Sequence, residues 1–411
     1  MRVLIVSQYF HPENFRINEV VRTLVEKGVE VEVLTGKPNY PEGVFFSGYR
    51  AMGFQTEDLL GAKIFRVPMA ARGSRSAFWL ALNYASFVLS GLWFAPWLLR
   101  GKKYDAILVY GVSPILQALP AILIGWLKNT RVAVWVQDLW PESLQATGYV
   151  RNRWVLAAVR HVVRLIYRHT DLILVQSKGF QAPVSNLAPG KRIIYFPNSV
   201  EAIFCDPPFV PLPDVSALDE GFPVVFAGNV GVGQAVQVIV EAASLLKDQP
   251  DIRFVVFGHG SRWDWMCEQV KERCLTNLHL PGRFPMQTMP GLMQKAAVLL
   301  VNLADEPIFA ATVPNKVQAY MAAGRPILAC LNGEGARLVQ EAGAGLAIAA
   351  EDSQGLADAV LRLYRMPAPE RTEMGANGRR YFKAHFDHNR LVDDLIGYLS
   401  ALSKTGSPPN I

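Results

Sequence analysis

Short apolar runs recur along this chain, and each leads into a stretch of helical character. RVLIVSQ (2–8), EVEVLTG (30–36), AILVYG (106–111), RVAVWVQ (131–137), LILVQS (172–177) and IIYFPNSV (193–200) form a first series. PVVFAG (223–228), IRFVVFG (252–258), LHLPG (278–282), VLLVNL (298–303), PILAC (326–330) and GLAIA (345–349) form a second. A β-branched run without polar alternation reads as a strand buried on both faces, and such strands pair in parallel through crossover helices. Between the series lies DPPFVPLPDVSALDEG (206–221), rich in proline and without period, which reads as a linker. The expected architecture is α/β, with two Rossmann-like, doubly wound domains at 1–205 and 222–380 and a cleft between them. A closing helix is expected at 381–402, and the tail 403–411 should fray. In such sheets ligands sit beyond the carboxyl ends of the strands.

Size and composition agree. A chain of 411 residues exceeds what one hydrophobic core serves. With 51% hydrophobic and 18% charged residues it is globular, which excludes a disordered chain. Cys205, Cys267, Cys274 and Cys330 stand far apart without a C-x-x-C pair. That pattern fits buried thiols in a reducing compartment and argues against zinc. Met1-Arg2 runs straight into VLIV, too short for the apolar core of a secretory signal. Residues 1–200 carry 23 Lys and Arg against 12 Asp and Glu, a net of +11, whereas the remainder holds 18 against 23, a net of −5. A basic half joined to an acidic half suggests that the first domain faces something anionic.

That partner is expected to be a membrane surface. Ser76 to Leu99 carries no charge and is bracketed by Arg75 and Arg100. Its 24 residues would span a bilayer, but strands of one sheet lie before and after it, so a single crossing would split that sheet. A second crossing at 114–127 would cover only about 21 Å at about 1.5 Å per residue. Trp79, Tyr84, Trp93 and Trp97 instead suit an interfacial helix. In 151–169, Arg153, Arg160, His161, Arg164 and Arg168 fall on one arc about 100° wide, opposite Val155, Val159, Val162 and Ile166. Such a basic stripe suits anionic headgroups, and a plain solvated helix face has the same pattern. No nucleic-acid partner is expected.

Three stretches carry candidate chemistry. FAGNVGVGQ (226–234) joins a strand to a helical run. Gly228, Gly231 and Gly233 would let backbone approach a phosphate at a helix N-terminus, and a tight turn without ligand fits the local pattern too. Its G-x-x-G-x-G spacing is neither a P-loop nor the dinucleotide fingerprint. In TVPNKVQAYMAAGRPILA (312–329), Thr312 and Asn315 are N-cap types and Pro314 suits a first turn. Lys316 in that first turn opposes the helix dipole, so an anion there would offset it. WVQDLWPESL (135–144) puts Asp138 past a strand end, with Glu142 after Trp-Pro. Carboxylates so placed suit substrate hydroxyls or acid–base work, and N-capping of the next helix by Asp138 competes with that reading. Asp305 and Glu306 follow another strand. There is no G-x-S-x-G and no cluster with metal-ligand spacing, so no metal or other cofactor is expected.

SQYFHPENFRINEV, VLTGKPNYPEG, VQDLWPESLQATG, FAGNVGVGQ and VPNKVQAYMAAGRPIL, in this order, resemble the family 4 retaining glycosyltransferases, most of all bacterial O-antigen and capsule enzymes such as L-fucosaminyltransferases. The resemblance implies the GT-B fold, with the acceptor mostly on the first domain, the nucleotide-sugar on the second, and a last helix that crosses back. It implies transfer of an N-acetylated or 6-deoxy amino sugar from a UDP-linked donor to a polyprenyl-diphosphate-linked saccharide, in lipopolysaccharide or capsule synthesis. The work would be done without metal on the cytoplasmic face of the membrane. Glu13, Asn14, Arg16 and Asn18, with Glu142, would form the acceptor side. Gly228, Asn229, Gly231, Gly233 and Gln234 would meet the diphosphate, together with Lys316, Thr312, Pro314 and Asn315. Gly258, His259 and Arg283 would face the base. The family's paired glutamates are missing: Ala319 stands at the second and Ala311 at the first, leaving Gln318, Asp305 or Glu306 as substitutes. Asp138, Lys316 and Glu306 are the expected catalytic groups. A nucleotide-sugar epimerase and a membrane-surface scaffold with a degenerate site are the rival readings.

Overall fold

The computed structural model describes residues 1–73, 77–146, 152–200, 202–205 and 208–404. The chain forms two compact units, Met1–Pro197 with the chain from Asn389 onward, and Asn198–His388.

The first unit is built on an eight-stranded sheet of β1 (Arg2–Val6), β2 (Glu30–Thr35), β3 (Gln55–Leu59), β4 (Ala62–Arg66), β5 (Ala106–Gly111), β6 (Val132–Val136), β7 (Leu172–Val175) and β8 (Ile193–Tyr195). Their order is β3-β4-β2-β1-β5-β6-β7-β8. All pairs are parallel except β3 with β4. That hairpin escaped the sequence reading because QTEDLLGAKIFR breaks its apolar residues with Glu57, Asp58 and Lys63 and holds no unbroken β-branched run. Leu60 and Gly61 turn it at positive φ. The strand order reverses between β1 and β5, which makes their carboxyl ends the natural ligand edge.

The second unit carries β9 (Phe222–Ala227), β10 (Ile252–Phe257), β11 (Leu278–Gly282), β12 (Val298–Asn302), β13 (Ile327–Cys330) and β14 (Gly345–Ile348), ordered β11-β10-β9-β12-β13-β14 and parallel throughout. Its reversal lies between β9 and β12. Val317, Tyr320 and Met321 of helix Asn315–Ala323 cover one face of this sheet. Ile239 and Ala242 of helix Gln237–Leu245, with Leu356 and Val360 of helix Ser353–Arg365, cover the other. Two doubly wound α/β units are the architecture expected from the strand series.

Three expected boundaries move. The first unit ends at Pro197 and not at 205, because Val200 and Phe204 are buried in the core of the second. The described part of 206–221 is no free linker, since Val215, Ala217 and Leu218 join that same core. The closing helix does not begin at 381: helix Ala368–His385 ends, and helix His388–Lys404 starts afresh. Leu391, Val392, Leu395 and Leu399 of the last helix share the first unit's core with Val20, Leu24 and Leu174. Fully burying one such side chain is worth about 1.5–3 kcal/mol, which accounts for the chain's return to the first unit. Most of the expected tail, 405–411, lies outside the described residues.

Helix Ala77–Leu98 buries Asn83, Tyr84, Phe87, Val88, Gly91 and Ala95 along one face. The opposite face leaves Phe78, Trp79, Leu82, Leu89, Trp93 and Trp97 exposed, Trp93 to 79%. By length and composition it is the one described helix apolar enough to cross a membrane. Yet β4 before it and β5 after it belong to one sheet. It packs on helix Ala118–Lys128, which in turn touches helix Arg153–Arg168. In the latter Arg153, Arg160, His161, Arg164 and Arg168 are all exposed. The expected apolar stripe is only partly buried, however. Val155 is exposed and Val159 and Val162 are half-buried, because packing partners reach only the last turns, through Val163, Ile166 and Tyr167. The thiols also depart from expectation: all four are free, but Cys205 and Cys274 are exposed.

Candidate active site

In the second unit a cavity of about 380 Å³ opens at the carboxyl ends of the strands. Gly228, Asn229, Gly258, His259, Arg283, Asn315 and Lys316 line one part of it, and Phe257, Met289, Met293, Ala319 and Tyr320 another. Lys316 sits in the first turn of helix Asn315–Ala323, which starts from Pro314 without a side-chain cap. Its Nζ donates to Gln234 Oε1 at 2.5 Å and lies 3.9 Å from the centroid of the Phe226 ring. Among the described residues no carboxylate pairs with it. Burial pulls its ammonium down to about 7. Gly228, at φ 144°, is what admits this side chain. Tyr320 donates its hydroxyl to Ala227 O and accepts Ala227 N–H, tying the helix to the end of β9. Ring stacking of His259 on Trp263 sets the imidazole at the rim. A close-packed glycine turn, an ammonium without a carboxylate among the described residues and the start of a helix together form an anion site. The adjoining apolar wall suits a planar group.

Other expected donor residues are not in this lining. Gly231, Gly233 and Gln234 lie outside it, and Gln234 serves by holding Lys316. Thr312 is no cap of the lysine helix: its hydroxyl donates back to Ile308 O, within the preceding turn. Gln318 is buried and does not reach the cavity, since one residue along a helix turns the side chain by about 100°. Glu306 is exposed ahead of helix Pro307–Ala311 and does not line the cavity, and Asp305 accepts from Asn332. Sequence reading missed the apolar wall. Met286, Met289 and Met293 look like ordinary core methionines until the fold gathers them.

In the first unit the residues of the 9–18 loop divide by role. Glu13 is 2% exposed, so it is no substrate contact. Its Oε1 accepts Asn39 N–H and Tyr40 N–H, both at 2.8 Å, and its Oε2 accepts Phe10 N–H at 3.1 Å. Burial raises its carboxyl to about 7 despite those three donors. Asn18 is also structural, accepting His11 N–H and donating to Glu13 O. Arg16 pairs with Glu19 at 3.0 Å, and Asn14 is exposed. Arg66, fully buried, donates to Gly36 O and His11 O and pairs with Glu57. At the ends of β5 and β6, Asp138 Oδ2 accepts both Ser113 N–H (2.9 Å) and Ser113 Oγ–H (2.8 Å), and Ser113 Oγ also accepts Trp140 Nε1–H. Asp138 thus bridges two strand ends. Glu142 begins helix Glu142–Ala146. Among the described residues no group of three or more His, Cys, Asp or Glu is arranged to hold a metal ion.

Comparison with known proteins agrees with this geometry. Residues 14–199 match the family model for the glycosyl transferase 4-like domain, and residues 221–366 match that for glycosyl transferases group 1. A protein described as a colanic acid biosynthesis glycosyl transferase, WcaI of Escherichia coli K12, is 25% identical over 347 residues, 79% of this chain and 82% of WcaI. One described as the glycosyltransferase WbjE of Pseudomonas aeruginosa is 26% identical over 256 residues, 60% of this chain and 62% of its own. Among solved structures, sucrose-phosphate synthase from Thermosynechococcus elongatus superposes with a TM-score of 0.73 at 16% identity, covering 98% of this chain and 99% of that one. WaaG, a glycosyltransferase involved in lipopolysaccharide biosynthesis, gives 0.65 at 13%, covering 99% and 100%. Anabaena HepE in complex with UDP gives 0.67 at 13%, covering 98% and 100%. Two glycosyltransferase domain families matched in tandem, on two Rossmann-like units, place the chain in the family 4 glycosyltransferases of the GT-B fold.

Proposed function

We propose that this glycosyltransferase moves an N-acetylated or 6-deoxy amino sugar, with retention, from a UDP-linked donor to a polyprenyl-diphosphate-linked saccharide in surface polysaccharide synthesis of the O-antigen or capsule type. The observation that carries this is the second unit's cavity, where Lys316 stands against the Gly228 turn with no carboxylate partner among the described residues. A sugar nucleotide brings its diphosphate to that ammonium and its base to the apolar wall. HepE was solved with UDP, and the descriptions of WcaI and WaaG carry colanic acid and lipopolysaccharide biosynthesis, which supports the donor and the pathway class.

The step follows from charge. As the glycosidic bond to the diphosphate breaks, negative charge grows on the leaving oxygen, and Lys316 with the helix-start N–H groups meets it without a metal ion. No lining residue of the cavity is a carboxylate that could act as covalent nucleophile. The departing phosphate therefore takes the acceptor's proton on the same face, and the new bond keeps the anomeric configuration. Asp138, one oxygen committed to Ser113, offers the other to a substrate hydroxyl.

The protein works as a peripheral enzyme on the cytoplasmic face of the membrane. The exposed Trp93 and Trp97 face and the neighbouring basic helix support that placement. Incubation with a panel of UDP-sugars and a prenyl-diphosphate-linked saccharide separates the readings. Transfer to the lipid-linked sugar is expected. Interconversion of donors without acceptor would make it an epimerase, and no turnover of any donor would leave a scaffold.

A further inference from the structure

Where β1 and β2 end, three aromatic rings meet in the first unit. Tyr9 and Phe15 stack at 5.1 Å and 10°, and Tyr40 closes on them at 5.6 and 5.2 Å. Tyr9 is buried, while Phe15 and Tyr40 are half-buried and so present ring surface. The guanidinium of Arg72 lies 5.1 Å from the Tyr40 centroid. Arg66 of the same unit is fully engaged, yet among the described residues the Arg72 side chain makes neither a hydrogen bond nor an ion pair. Both groups are held from beneath. Glu13 grips Tyr40 N–H, and Asn39 Oδ1 accepts Arg72 N–H at 2.9 Å. One residue on, Gly73 lies so close to Trp79 that a Cβ would come within 3.0 Å of its ring. Trp79 opens the helix whose outer face is bare apolar surface.

These features form a sequence from apolar to anionic to saccharide. A half-buried guanidinium without a partner is a diphosphate binder, and it does that best when stacked and preorganised. Aromatic rings beside it offer a flat surface to the C–H face of a pyranose. We propose that Arg72 binds the diphosphate of the acceptor, that Phe15 and Tyr40 carry its first sugar, and that the prenyl chain leaves along Trp79 and the exposed helix face. This rests on the lipid-linked acceptor proposed above. Glu13 and Asn39 are positioning residues for that site.

The test measures binding of farnesyl-diphosphate-linked N-acetylglucosamine and, separately, of UDP, to the full chain by calorimetry. Arg72→Ala is expected to weaken the acceptor probe at least about tenfold, the range for losing a hydrogen-bonded charge partner. UDP affinity stays unchanged, which also reports that the chain is folded. Phe15→Leu, which leaves the Tyr40 ring against Arg72, should weaken the sugar-bearing probe but not farnesyl diphosphate itself. Arg72→Lys should recover only part of the loss, since an ammonium cannot bind bidentately. Binding of Arg72→Ala within about twofold of wild type, with UDP retained, overturns the site while leaving the lipid-linked acceptor standing. Failure of the wild type to bind any prenyl-diphosphate sugar overturns both. Sedimentation with phosphatidylglycerol vesicles separates the two sources of phosphate: it should not change in Arg72→Ala. A loss there equal to the loss of acceptor binding would assign the guanidinium to bulk headgroups and overturn the proposal.

Discussion

Gly228 lacks a side chain where Lys316 needs the room: a Cβ at Gly228 would lie 2.5 Å from Lys316 Cε and 2.8 Å from Nζ. The φ of 144° at Gly228 is one that L side chains rarely adopt. Gly228→Ala is therefore expected to displace the ammonium and raise the UDP dissociation constant at least about tenfold, with strain adding on the order of 1–3 kcal/mol of instability. Calorimetry and thermal melting check the two effects.

Lys316 has its pKa drawn down to about 7 by burial, against an ordinary value of 10.5. A bound diphosphate favours the charged form, so at pH 8 binding should take up a fraction of a proton. Apparent affinity should fall as pH rises past about 7. Calorimetry of UDP binding in buffers of different ionisation enthalpy measures the uptake, and Lys316→Met should abolish it. Because the folded chain binds fewer protons here than the unfolded chain, stability rises with pH between about 7 and 10.5. Lys316→Met should thus melt higher at pH 7 while turning over about 10²–10³-fold more slowly.

Ala319 leaves space in the cavity wall one turn from Lys316. Ala319→Phe should fill it and weaken UDP by at least an order of magnitude, while the far-ultraviolet spectrum and lipid binding stay as they are. Unchanged UDP affinity would place the nucleotide elsewhere.

Glu13, raised to about 7 from an ordinary 4.5, contributes stability that is full below about 4.5 and is lost as pH rises through about 7. Glu13→Gln removes that dependence, so its melting temperature should gain on wild type across this window. Glu13→Ala should lower stability at every pH by on the order of 1–3 kcal/mol, because Asn39, Tyr40 and Phe10 N–H groups lose their acceptor. Melting curves at pH 4, 6 and 8 decide it.

Trp93 and Trp97 are 79% and 65% exposed, so replacing both by serine costs little stability. Sedimentation with anionic vesicles should drop. Arg160, Arg164 and Arg168 changed to glutamate should lower it further, at about 1 kcal/mol per charge removed, and added salt should mimic that loss. Wild-type binding that is equal on neutral vesicles at every salt concentration would contradict the basic stripe.

Much was legible in the order of residues. Buried strands declare themselves as unbroken β-branched runs, so both sheets, the domain count, the glycine turn and the misplaced cation at Lys316 could be read directly, because each is a local pattern. Tertiary structure alone decided the rest. Charged β3 took the sheet edge beside β4, Val200 and Phe204 joined the second core, and the last helix returned to the first. Glu13, which reads as a substrate contact, turned inward because three backbone N–H groups converge on it, and Glu306 and Gln318 fell away from the cavity. The sequence states what each residue prefers. Where a side chain points depends on neighbours far along the chain, and only packing brings those neighbours together.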